Sequence, residues 1–177
     1  MPERLAKREP EEIVRMLVDQ LKTVLASGAA LGPIIMAFVF IDAMARAGLP
    51  SNRNKVEGAD FIGWVDKYMR TSDPCEYQYV GVDVYNARCA MLHTLTPQMH
   101  KDGRIFMYHD GVPHRYRPDL HANVVVISVP LFIDDLWTAV ARFIADARSG
   151  SSWELVASRF NEMFAIVPYS GPSWEQT

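Results

Sequence analysis

The sequence has few cysteines, no long membrane-type apolar run and no excess of positive charge. Its two cysteines, Cys75 and Cys89, do not form a C-x2-C pair, so neither a disulfide framework nor a cysteine-based zinc site is predicted. The apolar run at residues 29–41 is shorter than the roughly 20 residues of a membrane span, and Asp42 follows it directly. We therefore expect a buried helix there and no membrane association. The net charge of −3 disfavours a dedicated DNA-binding domain.

The composition is that of one ordinary globular domain. The chain has 177 residues, of which 49% are hydrophobic and 22% charged. We predict a single domain over 1–177, with loose tails at 1–9 and 168–177. No apolar segment follows the charged first residues, so we expect no signal peptide and a cytoplasmic protein. The sequence contains no Gly-rich phosphate loop and no recognisable ligand spacing, and we expect neither a cofactor nor a metal.

Apolar residues recur at helical spacing through most of the chain, between breaks rich in Gly, Pro, Ser and Asp. The second segment is apolar nearly all round, which is typical of the central helix of a bundle. The predicted helices cover residues 10–27, 32–47, 58–70, 76–95, 131–148 and 151–164.

Two runs rich in β-forming residues, 104–109 and 123–129, interrupt this helical pattern. Residues 114–117 are a further candidate strand, and Pro130 ends the second run. We predict a mainly α fold, an antiparallel four- or five-helix bundle with a small antiparallel β-element inserted before the C-terminal helices.

The helix predicted at 76–95 carries the pair of side chains most suggestive of chemistry. Arg88 and His93 have the spacing R-x4-H and follow Tyr85 and Asn86. A cation can stabilise a phosphate, and a histidine titrates near neutral pH. The spacing by itself is a weak signal, because Arg104 and His109 repeat it within a predicted strand.

The segment Arg-Cys-Ala-Met-Leu-His, residues 88–93, resembles the R-x4-6-H motif of the HEPN superfamily, and in particular an uncharacterised bacterial branch with an RCxLLH-type helix. The resemblance covers residues 30–148 in arrangement, but its specific part is about a dozen residues. It implies a helical bundle that forms homodimers, either a non-catalytic module or a metal-independent ribonuclease. In the ribonuclease, Arg88 would stabilise the scissile phosphate and His93 would act as general acid or base.

The sequence departs from the nuclease motif at Cys89, where HEPN nucleases usually have Asn, Asp or His after the arginine. Asn86 could supply a polar group instead, but it precedes Arg88. Residues five apart are also about 140° apart around a straight helix, so Arg88 and His93 need not share a face. The structural alternative is a histidine hydrogen-bonded within the bundle and an arginine paired with Asp42 or Asp83.

Two function hypotheses follow. The first is a HEPN-like interaction or regulatory module, non-catalytic and dimeric, with Tyr85 and Asn86 as candidate binding residues and RNA or a protein as candidate partner. The second is a metal-independent endoribonuclease that uses Arg88 and His93. A basic and aromatic segment could contact nucleic acid, although a charged sheet edge is the simpler interpretation. Its members are Lys101, Arg104, Tyr108, Arg115, Tyr116 and Arg117.

Overall fold

The structure is a computed structural model, and it describes residues 9–28, 31–70, 80–94, 105–109 and 123–164. These residues form a mainly helical fold with a two-stranded sheet, as the sequence predicts at that level. The helices are α1 Pro10–Ala26, α2 Leu31–Ala47, α3 Gly58–Trp64, α4 Gly81–Thr94, α5 Val129–Ser149 and α6 Trp153–Met163. A π-helical turn, Val65–Met69, continues α3, and the strands are β1 Ile105–His109 and β2 Val124–Ser128.

Helix α2 is central, because it packs against α1, α3, α4, α5 and α6. Its buried side includes Ile34, Phe38 and Ile41, which are fully buried. The opposite side is exposed, which corrects the expectation of burial all round: Met36 and Val39 are 49% and 46% exposed. An evenly apolar sequence does not indicate which side of a helix faces solvent.

The two strands pair in parallel, with Ile105 opposite Val124 and His109 opposite Ser128. The prediction of an antiparallel element is therefore wrong. A tight hairpin forces antiparallel pairing, whereas a connection of a dozen or more residues allows the chain to cross over. The connection here runs from residue 110 to residue 123. Pro130 lies in the first turn of α5, so β2 leads directly into that helix.

Helix α4 begins later than predicted, at Gly81 instead of residue 76, and residues 71–79 lie outside the described part. Two carboxylates satisfy its first backbone donors: Asp66 Oδ1 accepts from Gly81 N at 2.8 Å, and Asp83 Oδ2 accepts from Val80 N at 3.0 Å. A Cβ on Gly81 would lie 2.5 Å from the Ile62 carbonyl oxygen. Glycine thus permits the close approach of α4 to α3.

Other boundaries differ by smaller amounts. The third helix was predicted to run regularly to residue 70, but the regular helix ends at Trp64 and the π-helical turn follows. Helix α5 begins at Val129, two residues before the predicted start. The candidate strand at 114–117, the predicted tail at 168–177 and residues 1–8 of the other tail lie outside the described residues.

Candidate functional site

Helix α4 presents its residues to three different environments. Val84, Ala87 and Met91 are buried in the core. Arg88 lies at the boundary, with 23% of its side chain exposed. His93 is exposed in the last turn of the helix. The structural alternative predicts a histidine inside the bundle, and the exposed position of His93 contradicts that part of it.

Arg88 forms an ion pair with Asp42 of α2. Asp42 Oδ2 accepts two hydrogen bonds, one from Arg88 Nη2 at 2.7 Å and one from Arg88 Nε at 3.0 Å. The remaining nitrogen, Nη1, lies 3.9 Å from Cys89 Sγ. The pairing with a carboxylate expected in the structural alternative is present, and Asp42 is the partner. Asp83 instead caps the start of α4.

The electrostatics of this pair favour the charged guanidinium. Partial burial lowers the pKa of Arg88, but the hydrogen bonds and the negative charge of Asp42 outweigh burial and raise the pKa above its usual value. Nearby, the charge and hydrogen bond of Cys89, together with burial, raise the pKa of Tyr85.

The candidate binding residues Tyr85 and Asn86 face the interior more than the solvent. The Tyr85 ring meets the Phe61 ring edge-on, with 5.6 Å between the ring centroids. Tyr85 also packs over Gly58, where a Cβ would lie 3.0 Å from Cζ of the tyrosine. Asn86 is buried. Both residues therefore contribute to packing between α4 and its neighbours.

Arg88 and His93 both belong to a regular α-helix, so they project about 140° apart around it. One is half-buried against α2 and the other is exposed near the end of α4. In the described part of one chain, Arg88 and His93 therefore do not face a common position at which both could contact one phosphate. What the arrangement provides is a fixed arginine with its carboxylate and a separate, solvent-accessible imidazole.

Two further sequence candidates are partly described. Tyr108 of the basic and aromatic segment is mostly buried, and its ring meets the Phe38 ring at 6.5 Å between centroids. Burial raises its pKa, and the ring is not displayed for stacking on a base. His109 is exposed in β1. The other members of that segment, and Cys75, lie outside the described residues. Within the described ranges no cluster of His, Cys, Asp or Glu is arranged to bind a metal.

Arg159 of α6 is a buried charge that the sequence analysis missed. Its guanidinium donates to backbone carbonyls at and beyond the end of α2, which belong to Arg46, Ala47, Leu49, Pro50 and Arg53. A signal was present, because Val156, Arg159, Phe160 and Met163 fall on one side of an amphipathic helix. An arginine on an apolar side indicates a buried partner.

Comparison with known proteins does not assign a family, since no family model, curated protein or solved structure matches the chain. Among the described helices, none is both long and apolar enough to cross a membrane. The described residues show a mainly helical fold with an arginine–carboxylate pair between two of its helices.

Proposed function

We propose that the chain is a HEPN-like helical-bundle module that binds a partner without catalysing a reaction, acts in the cytoplasm and forms a homodimer. In this proposal the helices take the antiparallel course typical of a bundle. The observation that supports it most is the ion pair between Arg88 and Asp42, at 2.7 Å. The residue that would have to bind a phosphate is already bound.

A phosphate approaching Arg88 would meet two obstacles. Two of the three guanidinium nitrogens donate to Asp42, and the third faces Cys89. The negative charge of Asp42 would also repel the phosphate, because like charges at contact distance disfavour each other strongly in a partly buried site. Arg88 thus serves as a link between α2 and α4.

The alternative function is a metal-independent endoribonuclease with Arg88 and His93 as catalytic residues. The exposed position of His93 favours it, because an accessible imidazole can reach a substrate. This mechanism would need Arg88 to leave Asp42, or an arginine from a second copy to approach His93. We prefer the non-catalytic module, because it leaves the ion pair between Arg88 and Asp42 intact.

An RNA cleavage assay in the presence of EDTA separates the two functions. We expect no cleavage above background by the wild type, by His93→Ala or by Asp42→Asn, which releases Arg88. His109→Ala is the matched control. His109 is also exposed, and in the sequence it follows Arg104 at the same spacing at which His93 follows Arg88. Cleavage by the wild type that falls about a hundredfold or more in His93→Ala but not in His109→Ala would establish the ribonuclease instead.

The exposed side of α2 is the surface that we assign to the homodimer. Residues on this side recur at steps of four and three and so form one stripe along the helix, in which all but the partly buried Ala43 are exposed: Gly32, Met36, Val39, Ala43 and Arg46. Large apolar side chains grouped on an exposed helix favour association. Small residues at 32 and 43 allow a second helix to approach closely.

Sedimentation equilibrium tests this assignment. We expect a wild-type dimer and a folded monomer for Val39→Glu, because a charge would be buried without a partner at the interface. Val82→Glu on α4 is the control, since Val82 is similarly exposed at 43% and lies outside the stripe. A wild-type monomer, or a dimer unaffected by Val39→Glu, would refute the α2 interface.

A further inference from the structure

Helix α4 carries a cysteine and a histidine one helical turn apart. Cys89 and His93 belong to the same regular helix. Residues four apart are neighbours on a helix surface, with about 5–6 Å between their Cβ atoms. Cys89 is a free cysteine and half-buried, whereas His93 is exposed. The pair therefore lies at the surface of the described fold, where a small solute can reach both side chains.

The contacts of Cys89 show where its sulfur lies. Cys89 Sγ is 3.9 Å from Arg88 Nη1, and it shares a hydrogen bond with the hydroxyl of Tyr85, one turn earlier in the helix. Side chains of an α-helix lean toward its N-terminus, so the side chain of His93 extends over the turn that carries Cys89. Tyr85, Cys89 and His93 thus form one row along α4, with the thiol between the phenol and the imidazole.

The two side chains are of the types that bind zinc-like ions. Thiolate and imidazole are common ligands of Zn²⁺, whereas Mg²⁺ and Ca²⁺ prefer oxygen. Two ligands four residues apart on one helix hold zinc together in the H-E-x-x-H motif. Bonds of about 2.3 Å to sulfur and about 2.0 Å to nitrogen fit side chains that start 5–6 Å apart. Ligand type and spacing together select a thiophilic divalent ion.

The charges around the pair are compatible with a cation. Arg88 lies beside the thiol and carries a positive charge, but its ion pair with Asp42 balances that charge locally. In the described part of the chain, no group of three or more His, Cys, Asp or Glu side chains is arranged for a metal. An ion held by Cys89 and His93 would therefore have two protein ligands and complete its coordination with water, as open sites do.

We propose that Cys89 and His93 bind a thiophilic divalent ion such as Zn²⁺ or Cd²⁺, held between Cys89 Sγ and one ring nitrogen of His93. Binding forms a metal–sulfur and a metal–nitrogen bond, the thiol proton passes to water, and the ion gives up water ligands. The hydroxyl of Tyr85 orients the sulfur through its hydrogen bond, the role that outer-shell contacts have in metal sites. Metal binding here is independent of the proposed module function, and the RNA cleavage assay does not test it.

Titration of the reduced protein with Cd²⁺ tests the proposal, because a cadmium–thiolate bond absorbs in the ultraviolet and reports on the sulfur directly. All samples carry Cys75→Ser, so that Cys89 is the only thiol. We expect a saturable absorption at one Cd²⁺ per chain, which Zn²⁺ displaces and Mg²⁺ does not. His93→Ala should weaken Cd²⁺ binding about tenfold or more, because the second ligand no longer holds the ion near the first.

The matched control is His109→Ala. His109 is also exposed but belongs to β1, so it is not one helical turn from Cys89, and its replacement should leave the Cd²⁺ affinity unchanged. Circular dichroism checks that each variant keeps its helix content. Absence of a saturable absorption would overturn the proposal. So would an unchanged Cd²⁺ affinity in His93→Ala, or equal losses in His93→Ala and His109→Ala.

A rescue variant separates the role of Cys89 as a ligand from a purely structural role. Cys89→His keeps two nitrogen or sulfur ligands at the same spacing, whereas Cys89→Ala leaves one. Calorimetric titration with Zn²⁺ should show a loss of affinity of about tenfold or more in Cys89→Ala and a largely restored affinity in Cys89→His. Equal Zn²⁺ affinity in the Cys89→Ala variant and in the protein that retains Cys89 would contradict the assignment.

Discussion

Arg159 is 6% exposed and still carries a full guanidinium group, so its position demands compensation. The carbonyl oxygens at the end of α2 provide it, because the last turn of a helix leaves carbonyls without intrahelical donors. The negative end of the helix dipole adds a favourable field. The side chain of Arg159 thereby donates hydrogen bonds both to the end of α2 and to the loop that follows it, as far as Arg53.

Replacing this residue should cost more than replacing an exposed arginine. We expect Arg159→Met to lower the free energy of unfolding by about 2–4 kcal/mol, because several buried carbonyls lose their donor. Urea denaturation followed by circular dichroism measures the change. The control Arg15→Met, at an exposed position within α1, should stay within about 0.5 kcal/mol. Equal effects of the two substitutions would contradict the capping role.

At the scale of the elements, the sequence predicted which of the described segments are helices and which are strands, because periodicity reports local burial directly. It did not predict the parallel pairing of β1 and β2, since pairing direction depends on the path of the connection. The late start of α4 was also missed. That start depends on Asp66, a residue of another element, whose carboxylate accepts from Gly81 N.

The candidate site was predictable in the same partial way. Arg88 and His93 were placed on one helix, and an acid in the apolar second helix pointed to a buried partner. The choice between Asp42 and Asp83 was not available from sequence, because it depends on how α2 and α4 pack.

For the whole molecule, the central position of α2 connects the fold to the proposed function. The helix contacts α1, α3, α4, α5 and α6, and its exposed side carries Met36 and Val39, which the proposal assigns to a homodimer interface. Asp42 lies next to that stripe and binds Arg88 of α4. If a partner binds along α2 as proposed, it would lie close to the ion pair.

The central claim is that Arg88 is held by Asp42 as a structural link and is not available for catalysis. A double-mutant cycle on the free energy of unfolding, with Asp42→Asn, Arg88→Met and the double variant, tests this claim most directly. The account predicts a coupling energy of about 1 kcal/mol or more, as expected for a partly buried pair with two hydrogen bonds. A coupling energy below about 0.3 kcal/mol would contradict it, because Arg88 would then be free to bind another anion.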